Sequence, residues 1–286
     1  MIMESQMKWS ALAVAAAIAI QGCSLRQVAV NSIGDALAGG GDVYAADDDI
    51  ELVGAATPFG LKTIESLLAA SPEHRAMLLA AARGFTQYAY VYVQLPAEEA
   101  EERDVAYAYA QQARARRLYF RARDYGLRGL KLDPDDVALL YWTGVAWMAG
   151  IALSKDSPAI VADLPKAEAL IARATALDAD FDRGTLRSFL IGYEMNRPGA
   201  LTGAEARARA HFARAVELSH GRHAGPYVSA AESLAMARRD RREFESLLQR
   251  ALQVDAAAQP EWRLANLVMQ RRARRLLSRV DELFPE

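Results

Sequence analysis

Apolar residues recur along most of the chain at intervals of three and four, the period of a helix that buries one face. The clearest run joins Ala122, Gly126, Gly129, Leu130 and Leu132 and stops at Asp133-Pro134. The same order returns at Ala167, Ile171, Ala174, Leu177 and Asp178, at Ala208, Phe212, Ala215, Val216, Leu218 and Ser219, and at Phe244, Leu248, Ala251, Leu252, Val254 and Asp255. The starting positions lie 45, 41 and 36 residues apart, so the chain is built from a recurring unit. A small residue at 129, 174, 215 and 251 lets this helix come close to its partner. Large apolar residues one turn away fill the groove between the two. Fainter partner positions are Gly144 with Trp147, and Gly192 with Leu190 and Met195.

Periodicity and end signals predict helices over Leu25–Ala38, Asp49–Ala69, Pro72–Gln94, Ala97–Gly129 with a break, Asp135–Leu153, Leu164–Leu177, Thr185–Met195, Gly203–Leu218, Tyr227–Arg238, Arg241–Val254 and Pro260–Phe284. Asp47–Asp49 cap the second of these, and Pro58 is expected to kink it. Gly39-Gly40-Gly41 is expected to stop the first by supplying positive φ. Ser154–Pro165 and Asn196–Gly203 are loops where hairpins turn. Runs of β-branched residues are almost absent, so no sheet is expected. The repeating helix resembles the second helix of the tetratricopeptide (TPR) hairpin, including its closing proline, Pro134. The spacing exceeds the usual period of about 34 residues, so longer loops are inserted. The expected fold is an all-α, TPR-like helical-hairpin solenoid, with Arg271, Arg272, Arg274 and Arg275 giving the last helix a polar outer face that caps it.

The N-terminus carries a different message. Met7-Lys8-Trp9-Ser10 precedes an apolar run, Ala11–Ile20, that is too short for a membrane span of about 20 residues. A basic residue, a short apolar stretch and a small residue before a break make a secretory signal. Glu4 puts a negative charge ahead of it, which favours Met7 as the start of translation. Ile20-Gln21-Gly22-Cys23 resembles the lipobox at which bacteria attach lipid to cysteine. Cys23 is the sole cysteine, so no disulfide competes for it. Residues 1–22 are therefore read as signal and residues 23–286 as one domain. The expected location is periplasmic and lipid-anchored, and Ser24 favours the outer over the inner membrane.

A net charge of −2 gives no basic footprint for nucleic acid. The basic residues are nearly all arginine, which reads as GC-rich coding. The glycine run lacks the Lys-Ser/Thr of a phosphate loop, and Asp47–Glu51 suits a helix start better than Ca²⁺. His220 and His223 sit in a loop without carboxylates nearby. No nucleophile elbow, His-Glu-x-x-His motif or catalytic cysteine is present, and Glu98-Glu99 with Glu101-Glu102 read as a solvated stretch. No enzyme, cofactor or metal is expected. The richest segment is Phe85, Gln87, Tyr88, Tyr90, Tyr92 and Gln94. On a helix Phe85, Tyr88 and Tyr92 share one face while Tyr90 points elsewhere, although the alternation would also suit a strand. These rings either pack the core or line a ligand pocket or pore, for which a tyrosine has an apolar face and a polar tip. Phe59 and Tyr125 join the candidates.

Gly39-Gly40-Gly41-Asp42-Val43-Tyr44, Pro58-Phe59-Gly60-Leu61-Lys62 and Gly84-Phe85-Thr86-Gln87-Tyr88-Ala89, with an echo at Leu118–Leu127, closely resemble the T-component proteins of tripartite ATP-independent periplasmic (TRAP) transporters, often called TatT. Ile50 stands where a proline would be expected after the aspartate run. The resemblance spans Cys23 to about Trp262. It implies a TPR-like periplasmic lipoprotein that forms a homotrimer with a central pore and docks the TRAP solute-binding protein. Alternatives are a TPR scaffold lipoprotein for envelope or pilus assembly, and a wall hydrolase.

Overall fold

Helix follows helix through the computed structural model, which describes residues 27–197, Gly199 and residues 202–285. The signal segment and Cys23 lie outside these residues, as do Pro198, Ala200 and Leu201. Helix α1 covers 27–39, α2 Gly41–Ala46 and α3 Ile50–Ala70. Helix α4, Arg75–Ala89, runs through a π-helical turn at Tyr90–Gln94 into α5, Leu95–Ala100. Then come α6 (Val105–Leu130), α7 (Val137–Ala152), the short α8 (Pro158–Val161) and α9 (Leu164–Leu177). Helices α10 (Phe181–Asn196) and α11 (Ala204–Leu218) follow. Helix α12 (Gly225–Ala230) passes through a second π turn, Ala231–Ala235, into α13 (Met236–Arg238). Helix α14 (Arg241–Gln253), a 3-10 turn at Pro260–Trp262, α15 (Arg263–Ser278) and α16 (Val280–Leu283) complete the order. The described residues contain no strand, so the aromatic segment is helical.

Aspartates start several of these helices, at the expected Asp49 and at further positions the sequence reading did not name. Asp49 accepts from the Leu52 amide at 2.9 Å, Asp104 from Tyr107 at 2.9 Å, Asp136 from Leu139 at 3.0 Å and Asp240 from Glu243 at 2.9 Å. Each satisfies an amide left without an intrahelical acceptor. The glycine run works differently from expectation. It does separate α1 from α2, but Gly40 has φ −69°, so no left-handed residue is involved. Gly41 instead makes room: a Cβ there would sit 1.8 Å from Nη2 of Arg83. Left-handed backbone occurs without a warning in the sequence at Asp182, Arg183 and Gly184, which turn the chain into the regular part of α10.

Neighbouring helices pack through their small residues. A Cβ on Gly126 would meet Oγ1 of Thr143 at 1.9 Å, and one on Gly129 would meet Leu139 at 2.8 Å, so α6 lies against α7 as closely as backbone permits. Gly144 gives α9 the same closeness through Ile171. The corresponding alanines, Ala174, Ala215 and Ala251, are fully buried. Helices α4, α7, α10, α12 and α15 touch in succession, while α6, α9, α11 and α14 pack upon them. This is the hairpin array that the repeats predict.

The end of the array departs from the sequence reading. Helix α15 does not cap a solenoid with a solvated arginine face, because it returns to the beginning of the chain and touches α2 and α3. Arg272 binds Glu98 at 2.9 Å and Glu232 at 2.7 Å. Arg271 reaches Glu51 at 3.3 Å and Glu99 at 3.5 Å, Arg263 binds Asp48 at 2.9 Å, and Arg279 pairs with Glu102. Of the four arginines expected to face outward, Arg271 and Arg274 are exposed, and Arg271 still reaches two acids. The acidic stretch at 98–102 is correspondingly a seam between the ends of the chain, not a free solvated run. The expected helix Pro260–Phe284 is also interrupted at both ends.

Candidate functional site

The π turn at Tyr90–Gln94 decides where the aromatic residues go. Such a turn carries an extra residue, which re-aims the side chains on either side of it. Tyr88 and Tyr92 remain neighbours, with ring centroids 5.5 Å apart. Tyr90 packs with Ala115 and Tyr119 of α6 and lies near Arg272 of α15. The structure therefore divides the eight candidate residues. Phe85, Tyr88 and Tyr125 gather between α4 and α6. Tyr90, Tyr92 and Gln94 lie at the seam with α15 and α3. Gln87 is exposed on α4, and Phe59 is 79% exposed on α3, apart from both groups.

The first group forms a face of rings and guanidiniums. Phe85 stacks on Tyr125 at 6.0 Å with planes 9° apart. Arg121 lies 5.5 Å over Phe85, Arg128 5.4 Å over Tyr125 and Arg114 5.7 Å over Tyr88. On the other flank of α6, Arg123 lies 4.7 Å over Phe120 and 5.3 Å over Trp147. Glu65 of α3 accepts from the Tyr125 hydroxyl at 2.8 Å and pairs with Lys62 and Arg121. Burial pushes its carboxyl up, but the Lys62 and Tyr125 hydrogen bonds and the Arg121 charge outweigh that and hold it below the ordinary value. Burial and Glu65 together push the Tyr125 phenol up to about 12. Arg117, Phe120, Arg121, Asp124, Tyr125 and Arg128, all of α6, line one side of an open cavity of about 450 Å³.

The second group is a buried polar cluster. Gln94 accepts from the Tyr119 hydroxyl at 2.6 Å and donates to Glu98 at 2.9 Å. Glu98 accepts from Arg272, which also makes a forked contact with Glu232 of the second π turn. The two π turns thus face one guanidinium. Burial pushes the Tyr90 phenol up to about 12, so it stays neutral beside these charges. Tyr92 donates to the Ile50 carbonyl at 3.0 Å, and a smaller cavity of about 160 Å³ lies between it, Leu95, Val268 and the α15 arginines. Here aromatic and polar side chains are satisfied by one another. This half of the candidate set joins the end of the chain to its beginning.

Sequence reasoning missed the arginines in both groups. Those at 114, 117, 121 and 128 carried a readable signal, since steps of three, four and seven place them on one helical face. Arg272 carried none, because its acids lie 174 and 40 residues away. His223, weighed in the sequence as a loop ligand, packs on Trp262 at 5.4 Å, and burial lowers its pKa to about 4.

An all-α repeat array with aromatic and arginine faces is a binding architecture by class. Its family is specific. The TAtT family, the TRAP transporter T-component, matches residues 46–134 and 131–284. The chain belongs to that family, and so to the accessory components of TRAP transport systems. Among curated proteins, an uncharacterized protein of Treponema pallidum (strain Nichols) is 26% identical over 310 residues, covering 95% of this chain and 96% of its own length.

Proposed function

We propose that this chain is a lipid-anchored periplasmic accessory protein of a TRAP-type uptake system. It binds the solute-binding subunit and acts as a homotrimer whose pore holds a small, partly apolar ligand. Lipid on Cys23 holds it at a membrane, the outer rather than the inner. Each buried CH₂ of an acyl chain contributes about 0.8 kcal/mol, so two or three chains anchor durably.

The observation that carries this reading is the family match over both halves of the array. The rings of Phe120 and Tyr125 beside an open cavity, with Tyr125 backed by the buried ring of Phe85, supply an apolar wall with hydroxyl and guanidinium rims. That combination suits a ligand with both apolar and polar parts.

The test is sedimentation velocity of protein beginning at Ser24, alone and with the solute-binding protein encoded nearest its gene. A free species near three times the monomer mass and a stable complex support the proposal. A monomer that ignores this partner removes both the trimer and the partner.

A further inference from the structure

We infer that the outer face of α6 is the surface that docks a partner protein through that partner's clustered carboxylates. This deepens the accessory reading and rests on it. The whole chain has a net charge of −2, yet the outer face of α6 presents Arg114, Arg117, Arg121 and Arg128, and the one acid between residues 114 and 128 is Asp124. The helix buries Ala108, Ala115, Tyr119, Ala122, Gly126 and Gly129, which turns Arg114, Arg117 and Arg121 to solvent.

Little acid within the molecule neutralises that face. Asp124 is held by Arg123 at 2.7 Å, and Glu65 is shared among Lys62, Tyr125 and Arg121, with Arg121 at 3.6 Å. Among the described residues Arg116 and Arg117 pair with no acid. Arg114 has only the Tyr88 hydroxyl at 3.2 Å and Gln111 at 3.4 Å, and Arg128 donates to the Pro72 carbonyl at 2.7 Å.

Geometry favours a protein over a lipid surface. The guanidiniums of Arg114, Arg121 and Arg128 are held in place over Tyr88, Phe85 and Tyr125, and Arg117 between them, with no ion pair among the described residues, keeps its N–H groups for a carboxylate fork. Holding them beforehand lowers the entropy lost on binding. Fixed geometry rewards a partner whose carboxylates are also fixed, whereas a fluid membrane gains nothing from it. The face also mixes arginine with the rings of Phe120 and Tyr125, as the centres of protein interfaces do.

The experiment uses the chain from Ser24 and the solute-binding protein encoded beside it, with binding followed from 50 to 300 mM salt. The variants are Arg117→Glu, Arg117→Glu/Arg121→Glu, and Arg242→Glu on α14 as a reversal elsewhere. Circular dichroism reports folding, and Arg117→Glu breaks no ion pair within the described residues. The expected result is association that weakens with salt, falls about tenfold or more in the double reversal and less in the single one, and is unchanged in Arg242→Glu. Binding that ignores the α6 reversals overturns this surface and leaves the accessory reading standing. Wild-type protein that never binds overturns both. A third arm offers vesicles with and without anionic phosphatidylglycerol. Anionic vesicles captured through Arg117 and Arg121, with partner binding indifferent to them, would make the face a lipid site and overturn the docking.

Discussion

Arg272 and Glu98 meet at 2.9 Å although 174 residues separate them in the chain. Glu232 grips the other side of the same guanidinium at 2.7 Å. Three segments, two of them beside π turns, are therefore fastened at one point. Burial opposes the charge on Arg272, but Tyr90, Glu232 and Glu98 together raise its pKa, so it stays charged throughout the useful pH range.

Removing that guanidinium should loosen the ring at its seam. Arg272→Met leaves two partly buried carboxylates facing each other, and a cost of about 3 kcal/mol is expected. Adding Glu98→Gln and Glu232→Gln should restore a good part of it, because the stranded charges go too. Urea unfolding of the single and triple variants measures this. A triple variant weaker than the single one would mean that the acids are stabilised by something other than Arg272.

Gly126 and Gly41 should respond differently to the same substitution. Gly126→Ala drives a Cβ into Thr143, a buried β-branched residue that cannot move aside, and should cost about 1–3 kcal/mol. Gly41→Ala meets only the far end of the Arg83 side chain, and a cost within about 0.5 kcal/mol is expected. Melting temperatures of the two variants, with Thr143→Ala added to the first as a rescue, decide the point.

Acid should destabilise the fold partly through His223. Burial lowers its pKa in the folded protein to about 4, while the unfolded chain takes up the proton near pH 6.5. Below pH 6.5 the unfolded state binds the extra proton, so stability is present above that pH and drains away as pH falls towards 4. The loss is on the order of 3 kcal/mol. His223→Gln should flatten this part of the stability–pH curve between pH 7 and 5. Parallel curves for the two proteins would assign the acid response elsewhere.

Cys23 is expected to carry the lipid. Cells fed labelled palmitate should yield labelled wild-type protein in the membrane fraction, and Cys23→Ala should stay unlabelled and unprocessed. Label on the Cys23→Ala protein would dispose of the anchor.

Much of the fold was legible in the chain. The spacing of Gly129, Ala174, Ala215 and Ala251 announced a small-residue contact in each hairpin, and aspartates such as Asp49 marked helix starts that the structure keeps. Those features are local: a helical face and a cap are fixed by residues within one or two turns. Phe85 and Tyr88 were also placed correctly on one face of one helix. What they would face was not readable, because Arg121 and Arg114 come from another helix. Gly40 shows the other limit. A glycine run says that the helix breaks, but both signs of φ are open to glycine, and the chain takes the negative one at Gly40.

The sequence by itself therefore determined the helical period, the repeat, most helix ends and the family. Tertiary structure alone decided that α15 closes back onto the start of the chain, that Tyr90 and Tyr92 both end at its seam, and that Arg114, Arg121 and Arg123 of α6 lie over rings of α4 and α7. The physical reason is range. Periodicity and capping are settled among near neighbours, whereas ion pairs and stacking depend on which distant helices the small residues allow to meet.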